Sequence, residues 1–396
     1  MVAEELRRKN TQWILYYFVG LVPAIAASWG KFWVTGSPVV DNNPVVGNAV
    51  YLIVALFCLG LGLQGFAYYH LVFTYTLTLK TARKTAVGAV TLGSLMLPLL
   101  SNDVFLYLAY GNLLNQGMVT YVQPELIQYS DFVTYVATDW LDCPNHYSPI
   151  LLMLFGMVTW LGKSLWASFV LLKILFWGIS LAIIQLLYLF FHQLQASATH
   201  SNKYIQNFSL IVLAPIFWLQ GVGQLHSEVV ILLFIIGLMG SLYTEKWITA
   251  GLLVGLIAAA KIMYGAVFFP FLLLYLWFQY RTDWATLLNK VTYSVSIALG
   301  VIVLSYFPFW EGLATLTNPF AYHENKPLNH SVVGVLTDII FYGQQLLLDA
   351  EAPIGQWVLE NANGVIDKTM IAQPLGKAYK LFGLCLAGWV LLRIFI

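Results

Sequence analysis

Apolar runs approaching or exceeding about 18 residues recur along this chain, and each is long enough to cross a bilayer as a helix. They lie near 12–29, 49–79, 86–100, 149–162, 165–192, 205–222, 228–244, 247–262, 264–280, 291–309, 332–348 and 378–396. In lipid every backbone amide and carbonyl must be satisfied internally, so repeated spans of this kind pack as a helical bundle. A β-barrel would instead show short alternating strands, which the sequence lacks. Of 396 residues 60% are hydrophobic and only 9% charged, where a soluble domain carries roughly 25% charged residues. The expected fold is therefore all-α: a polytopic transmembrane helical bundle of about ten to twelve spans, forming a single integral membrane domain over 1–396. The runs at 149–162 and 49–79 leave alternatives open. The first is short for a span, and the second is either one tilted helix or a broken one.

Charge sets the orientation. The net charge of +1 carries no nucleic-acid signature, so no nucleic-acid partner is expected. Arg7, Arg8 and Lys9 precede the first run, which reads as a retained span and not a cleaved signal, and Lys80, Arg83 and Lys84 follow the second. By the positive-inside rule both clusters face the cytoplasm, and two crossings separate them. The third run then delivers 101–148 to the extracytoplasmic side. That loop carries Asp103, Glu125, Asp131, Asp139 and Asp142 and no Lys or Arg. Within it 104–115 is apolar and aromatic, which suggests an interfacial helix lying along the membrane. A second extracytoplasmic loop spans 310–330, and 349–377 holds four further carboxylates. Cys58, Cys143 and Cys385 form no disulfide framework or metal motif.

Five polar features stand out against this apolar background. Asp103, preceded by Asn102, sits at the mouth of the acidic loop; it is suited to general-base work or simply caps the following helix. Asn145-His146-Tyr147-Ser148-Pro149 ends the loop with a helix-start signal. In it Tyr147 is either a ring for stacking on a ligand or part of an aromatic belt. His226-Ser227-Glu228 clusters ionisable groups between two apolar runs, as a cavity lining or as a capped helix start. Lys261, between Ala260 and Ile262, snorkels to the interface or meets an anion such as a lipid phosphate. Tyr322-His323-Glu324-Asn325 and Asn329-His330-Ser331 form a hydrated loop whose spacing matches no metal-ligand pattern. No phosphate-cradling glycine loop, dinucleotide fingerprint or Asp-x-Asp pair occurs, so neither a cofactor nor a metal is expected.

Taken in order, these segments resemble the GT-C glycosyltransferase superfamily. The series is Ser-Asn-Asp-Val-Phe-Leu-Tyr-Leu-Ala-Tyr-Gly at 101–111, Tyr147-Ser148-Pro149, Ala214-Pro215 with His226-Ser227-Glu228, Lys261-Ile262-Met263-Tyr264 and Asn329-His330-Ser331. It is similar to bacterial mannosyltransferases that use polyprenyl-phosphate mannose, and to the enzyme adding the first mannose of the glycosylphosphatidylinositol anchor. The resemblance covers roughly 95–335. It implies a GT-C bundle with a large extracytoplasmic first catalytic loop, a polyprenyl-phosphate-linked sugar donor, a glycolipid or glycan acceptor, and transfer of a sugar, mannose above others, with inversion. Asp103 matches the family's first-loop aspartate and would be the base. Asn102, Tyr107, His146, Tyr147, His226, Glu228, Lys261, Tyr264 and His330 would bind substrate, with Lys261 on the donor phosphate. The chain departs from the pattern at Ser227 and Glu228, where these families have His-Asn-Asp or Asn-Ala-Asp.

Two other classes compete. A lipid or solute transporter or flippase would show matched, Gly/Pro-broken halves and ionisable groups near the midplane, whereas the acidic residues here gather in loops. A non-catalytic membrane scaffold would leave Asp103 replaceable by another capping residue.

Overall fold

The computed structural model describes residues 2–35, 48–74, 77–99, 101, 103–119, 121–136, 140–141, 144–145, 147–196 and 201–318. The chain divides into Met1–Pro319 and Phe320–Ile396, and the described residues all fall in the first unit. Asn102, His146 and His330 lie outside them, as do the runs expected at 332–348 and 378–396. Among the described residues there is no strand. The helices are α1 (Val2–Thr35), α2 (Asn48–Tyr69), α3 (Leu79–Gly93), α4 (Asp103–Asn115), α5 (Pro149–Gly162) and α6 (Leu165–Ala196). There follow α7 (Ser201–Val212), α8 (Pro215–Trp218), α9 (Glu228–Tyr243), α10 (Trp247–Ala260), α11 (Ile262–Tyr280) and α12 (Trp284–Tyr306).

An all-α polytopic bundle is what forms, and among the described residues fewer full-length spans occur than the apolar runs there implied. Among the described residues 5 helices are long and apolar enough to cross a membrane, or up to 6 if the bent pair Asn202–Val212 and Pro215–Gly223 is one span. The expected run at 86–100 is one of the differences. Its helix begins at Leu79, where Thr78 Oγ1 accepts the Thr81 N–H, so Lys80, Arg83 and Lys84 belong to α3 itself. It ends at Gly93 after 15 residues, about 22 Å of rise against a hydrocarbon core of about 30 Å. Residues 94–99 continue the path as irregular backbone. The run at 49–79 is shorter than expected: α2 continues without a break through a π-helical segment at His70–Thr74, and α3 starts at Leu79.

Irregular backbone at membrane depth survives only where protein groups satisfy it. Where α7 gives way to α8, the Tyr17 hydroxyl donates to Leu213 O at 2.6 Å and the Tyr68 hydroxyl to Leu210 O at 2.9 Å. Trp218 Nε1 donates to Gln64 Oε1 at 3.1 Å on α2. Close helix approach rests on small residues, as expected when lipid supplies no hydrophobic drive between helices. Gly251 and Gly255 of α10 abut the backbone of Ser294 and Ala298 on α12, leaving no room for a side chain. Gly111 of α4 abuts the carbonyl of Phe155 on α5 in the same way.

The two ends of the bundle differ in charge. Along α6, Phe169 stacks on Phe105, Lys173 reaches Met96, Trp177 Nε1 donates to Thr91, and Arg83 lies over the Tyr188 ring at 4.7 Å. So α6 runs antiparallel to α3, from the end bearing Asp103 to the end bearing the basic residues of α3. Helix α5 ends beside the first turn of α6, where Gly162 meets Ser168. At 14 residues it is shorter than a full span and is counted among the shorter apolar helices. Helix α4, expected along the membrane surface, is packed on every side: Val104 through Tyr110 are 0–1% exposed, because α5, α6 and the 3-10 turns at Pro124–Tyr129 and Val133–Tyr135 wrap it.

Candidate active site

Three segments far apart in sequence meet at the end of the bundle where α4, α9 and α11 begin. Asp103 is the first residue of α4, and Ser101 Oγ accepts its N–H at 3.2 Å. Its carboxylate Oδ2 lies 3.4 Å from His226 Nδ1, with each side chain about a quarter exposed. The same imidazole nitrogen is 4.0 Å from Glu228 Oε2. Glu228 Oε1 in turn accepts from Lys261 Nζ at 2.6 Å. A carboxylate, an imidazole, a second carboxylate and an ammonium thus line up in one continuous row.

His226 is aimed by a strained turn. After the π-turn at Leu219–Gly223, Leu225 adopts φ of 58° while fully buried, a conformation that costs a residue with a Cβ about 1–3 kcal/mol. The Gln224 N–H to Leu219 O bond at 2.7 Å and the His226 N–H to Gln220 O bond at 2.9 Å hold it. The Ser227 N–H points to the Tyr107 hydroxyl at 3.4 Å. Ser227 occupies the N-cap position of α9 without its side chain accepting a capping bond, so a simple capped helix start does not account for His226-Ser227-Glu228.

Lys261 stands in extended backbone between α10 and α11. The snorkelling alternative is not what forms: the ammonium turns inward to Glu228 and is flanked by the Tyr147 and Tyr264 rings at 6.0 and 5.9 Å. The junction is fixed by Ser148, whose N–H donates to Ala260 O and whose Oγ accepts the Ile262 N–H at 3.1 Å and the Tyr306 hydroxyl at 2.9 Å. That gives Ser148 a role beyond starting α5.

Tyr107 and Tyr147, expected to bind substrate, lie deep beside the site. They are 1% and 2% exposed, with Tyr107 stacked on Phe155 and edge-on to Tyr147. The close α4–α5 packing seals both rings, so they support the site from beneath. Tyr264, half-buried, flanks the ammonium. Two residues that the sequence reading passed over also matter. Gln224 Oε1 accepts the Leu99 N–H at 2.9 Å, and Lys173 Nζ donates to Met96 O at 2.5 Å and Val222 O at 3.2 Å. A lone lysine inside an apolar run was the signal that flagged Lys261, and the same signal was there to be read at Lys173.

The electrostatics follow from burial and neighbours. Burial pushes the Asp103 carboxyl above the ordinary aspartate range, and His226 draws it part of the way back. Burial by itself would lower the Lys261 ammonium, but the Glu228 carboxylate against it holds it above the usual lysine value. The arrangement offers a carboxylate with raised basicity beside a cation whose counter-ion is a protein group at its own helix start. Among the described residues no group of three His, Cys, Asp or Glu has the arrangement of a metal site.

A family model described as Alpha-(1->6)-mannopyranosyltransferase, N-terminal domain, matches residues 15–279. The match covers more than half of the chain and contains Asp103, His226, Glu228 and Lys261. No curated protein and no solved structure matches.

Proposed function

Because this chain belongs to the MptA_B family of alpha-(1->6)-mannopyranosyltransferases, we propose that Asp103 is the general base of a mannosyl transfer from a polyprenyl-phosphate donor. The protein is a glycosyltransferase of the membrane. The observation that carries the finer reading is the convergence of Asp103, His226 and the Glu228–Lys261 pair at one end of the bundle.

In this reading the acceptor hydroxyl oxygen attacks the anomeric carbon of mannose from the face opposite the phosphate. The new C–O bond forms as the bond to the phosphate oxygen breaks, and the hydroxyl proton passes to the Asp103 carboxylate. Polyprenyl phosphate leaves with the bonding electrons, its developing charge met by Lys261. The donor phosphate displaces Glu228 from Lys261, and His226, 4.0 Å from Glu228, is at hand to receive the released carboxylate. Inversion giving the α linkage in the family's description requires a β-linked donor.

The charge along the bundle supports one orientation in the membrane. Trp29 Nε1 donates to Leu95 O and the Leu97 N–H to Ser28 Oγ, so the carboxyl end of α1 is beside the site and its basic start is at the far end. Lys80, Arg83, Lys84, Lys246, Arg281 and Lys290 also fall toward the helix ends away from Asp103, against Lys31 and Lys163 toward the Asp103 end. By the positive-inside rule this favours an amino terminus in the cytoplasm and a site outside, where a flipped lipid-linked sugar is a more accessible donor than a charged sugar nucleotide.

The test supplies the protein in nanodiscs with β-linked polyprenyl-phosphate [³H]mannose or with a mannose sugar nucleotide, plus a membrane glycolipid extract. Labelled product sensitive to α-mannosidase, from the lipid donor alone, is the expected result. Product from the sugar nucleotide alone would overturn the donor assignment.

A further inference from the structure

We propose that Lys173 is a positioning residue for this transfer: it holds together the two irregular segments that carry Asp103 and His226. Lys173 belongs to α6, within the candidate span Leu165–Gln195, where a basic side chain is costly and usually has a functional reason. Among the described residues its ammonium pairs with no carboxylate. It donates to Met96 O, in the stretch leading to Asp103, and to Val222 O, in the π-turn leading to His226.

A second link joins the same two segments, from the Leu99 N–H to Gln224 Oε1 at 2.9 Å. Met96, Lys173, Val222, Gln224 and Leu99 thus close a ring of backbone and side-chain hydrogen bonds. Asp103 and His226 emerge from the two sides of this ring just beyond Leu99 and Gln224. The neighbouring groups of the first segment point elsewhere: Leu95 O to Trp29 and the Leu97 N–H to Ser28, both on α1. Helix α1 therefore fixes one side of the 94–99 stretch, while Lys173 and Gln224 fix the side that faces the His226 turn. Without them nothing on that side ties the two segments together among the described hydrogen bonds, and the 3.4 Å approach of Asp103 to His226 loses its anchor. Small misplacements of a reacting group cost up to about 100-fold in rate.

The inference rests on the transferase reading for its kinetic arm only. Full-length protein in nanodiscs, wild type against Lys173→Met and Lys173→Arg, would be compared by hydrogen–deuterium exchange and by steady-state transfer. Lys173→Met is expected to raise exchange in 94–101 and 219–227 and to leave 262–280 unchanged. It should lower kcat by about 100-fold with the donor KM little altered, and Lys173→Arg should recover part of the loss. If Lys173→Met yields no folded protein, Gln224→Leu carries the same exchange and kinetic expectation. Exchange that is unaltered, or raised throughout the bundle, would overturn the proposal, as would an undiminished kcat per folded molecule. A wild type inactive on the lipid donor would count against the donor assignment, and the exchange data would still decide the role of Lys173.

Discussion

His226 Nδ1 stands 3.4 Å from Asp103 Oδ2, although α4 to α8 separate the two residues in the chain. The imidazole is the partner that moderates the effect of burial on the carboxylate. One consequence concerns pH. Only the ionised carboxylate accepts a proton, so transfer is lost as pH falls through the Asp103 value. Burial places that acid limb above the ordinary 3.8. In His226→Ala the attraction that lowers it is gone, so the limb of kcat/KM should move to higher pH. A limb that stays where it was would separate the two residues functionally.

The Glu228–Lys261 pair makes a second prediction. If Glu228 holds the place of the donor phosphate, Glu228→Gln removes a competitor and donor binding tightens. The pair is half-exposed on the Glu228 side, so the gain is about 1 kcal/mol at most, or about five-fold in Kd. Lys261→Ala should weaken donor binding more than acceptor binding. Titration with polyprenyl phosphate measures the first effect; equal losses for donor and acceptor in the second would remove Lys261 from the phosphate.

A third prediction tests the frame that carries Asp103. Gly111→Ala sets a methyl group against the Phe155 carbonyl of α5, backbone that cannot swing aside. It should cost about 1–3 kcal/mol and shift α4, reducing transfer along with stability. Gly178→Ala, where the added Cβ meets open space in α6, is the control: it should leave the rate unchanged and the midpoint of thermal unfolding no lower than wild type.

A fourth concerns metal. With Lys261 as the charge on the leaving phosphate, chelator treatment should leave the rate unaltered. Loss of activity restored by one divalent cation would contradict that assignment.

The membrane class and the place of Asp103 were legible because both depend on local pattern: run length for the first, a carboxylate directly after an apolar run for the second. Helix ends were less so. Thr78 starts α3 before the apolar run, and the polar partners that let the chain break at Leu213 and Leu225 come from α1, α2 and α6, which periodicity within one segment does not reveal. The same limit explains the site. Tyr147 reads as an exposed aromatic from its loop, yet Gly111 draws α4 and α5 together over it. Lys261 reads as snorkelling from its own segment because its partner, Glu228, starts a different helix. Lys173 was passed over because its run is long enough to tolerate one lysine near its start; only the carbonyls of Met96 and Val222 give it a purpose.

The most direct test of the account is transfer from radiolabelled β-linked polyprenyl-phosphate mannose by wild type and Asp103→Asn, in nanodiscs with a membrane glycolipid acceptor. Asn keeps the size and helix-start tolerance of Asp, so the variant should fold. The account predicts labelled product from wild type and a loss of about 100- to 10,000-fold in the variant. Turnover by Asp103→Asn at the wild-type rate would contradict it and take the base away from Asp103.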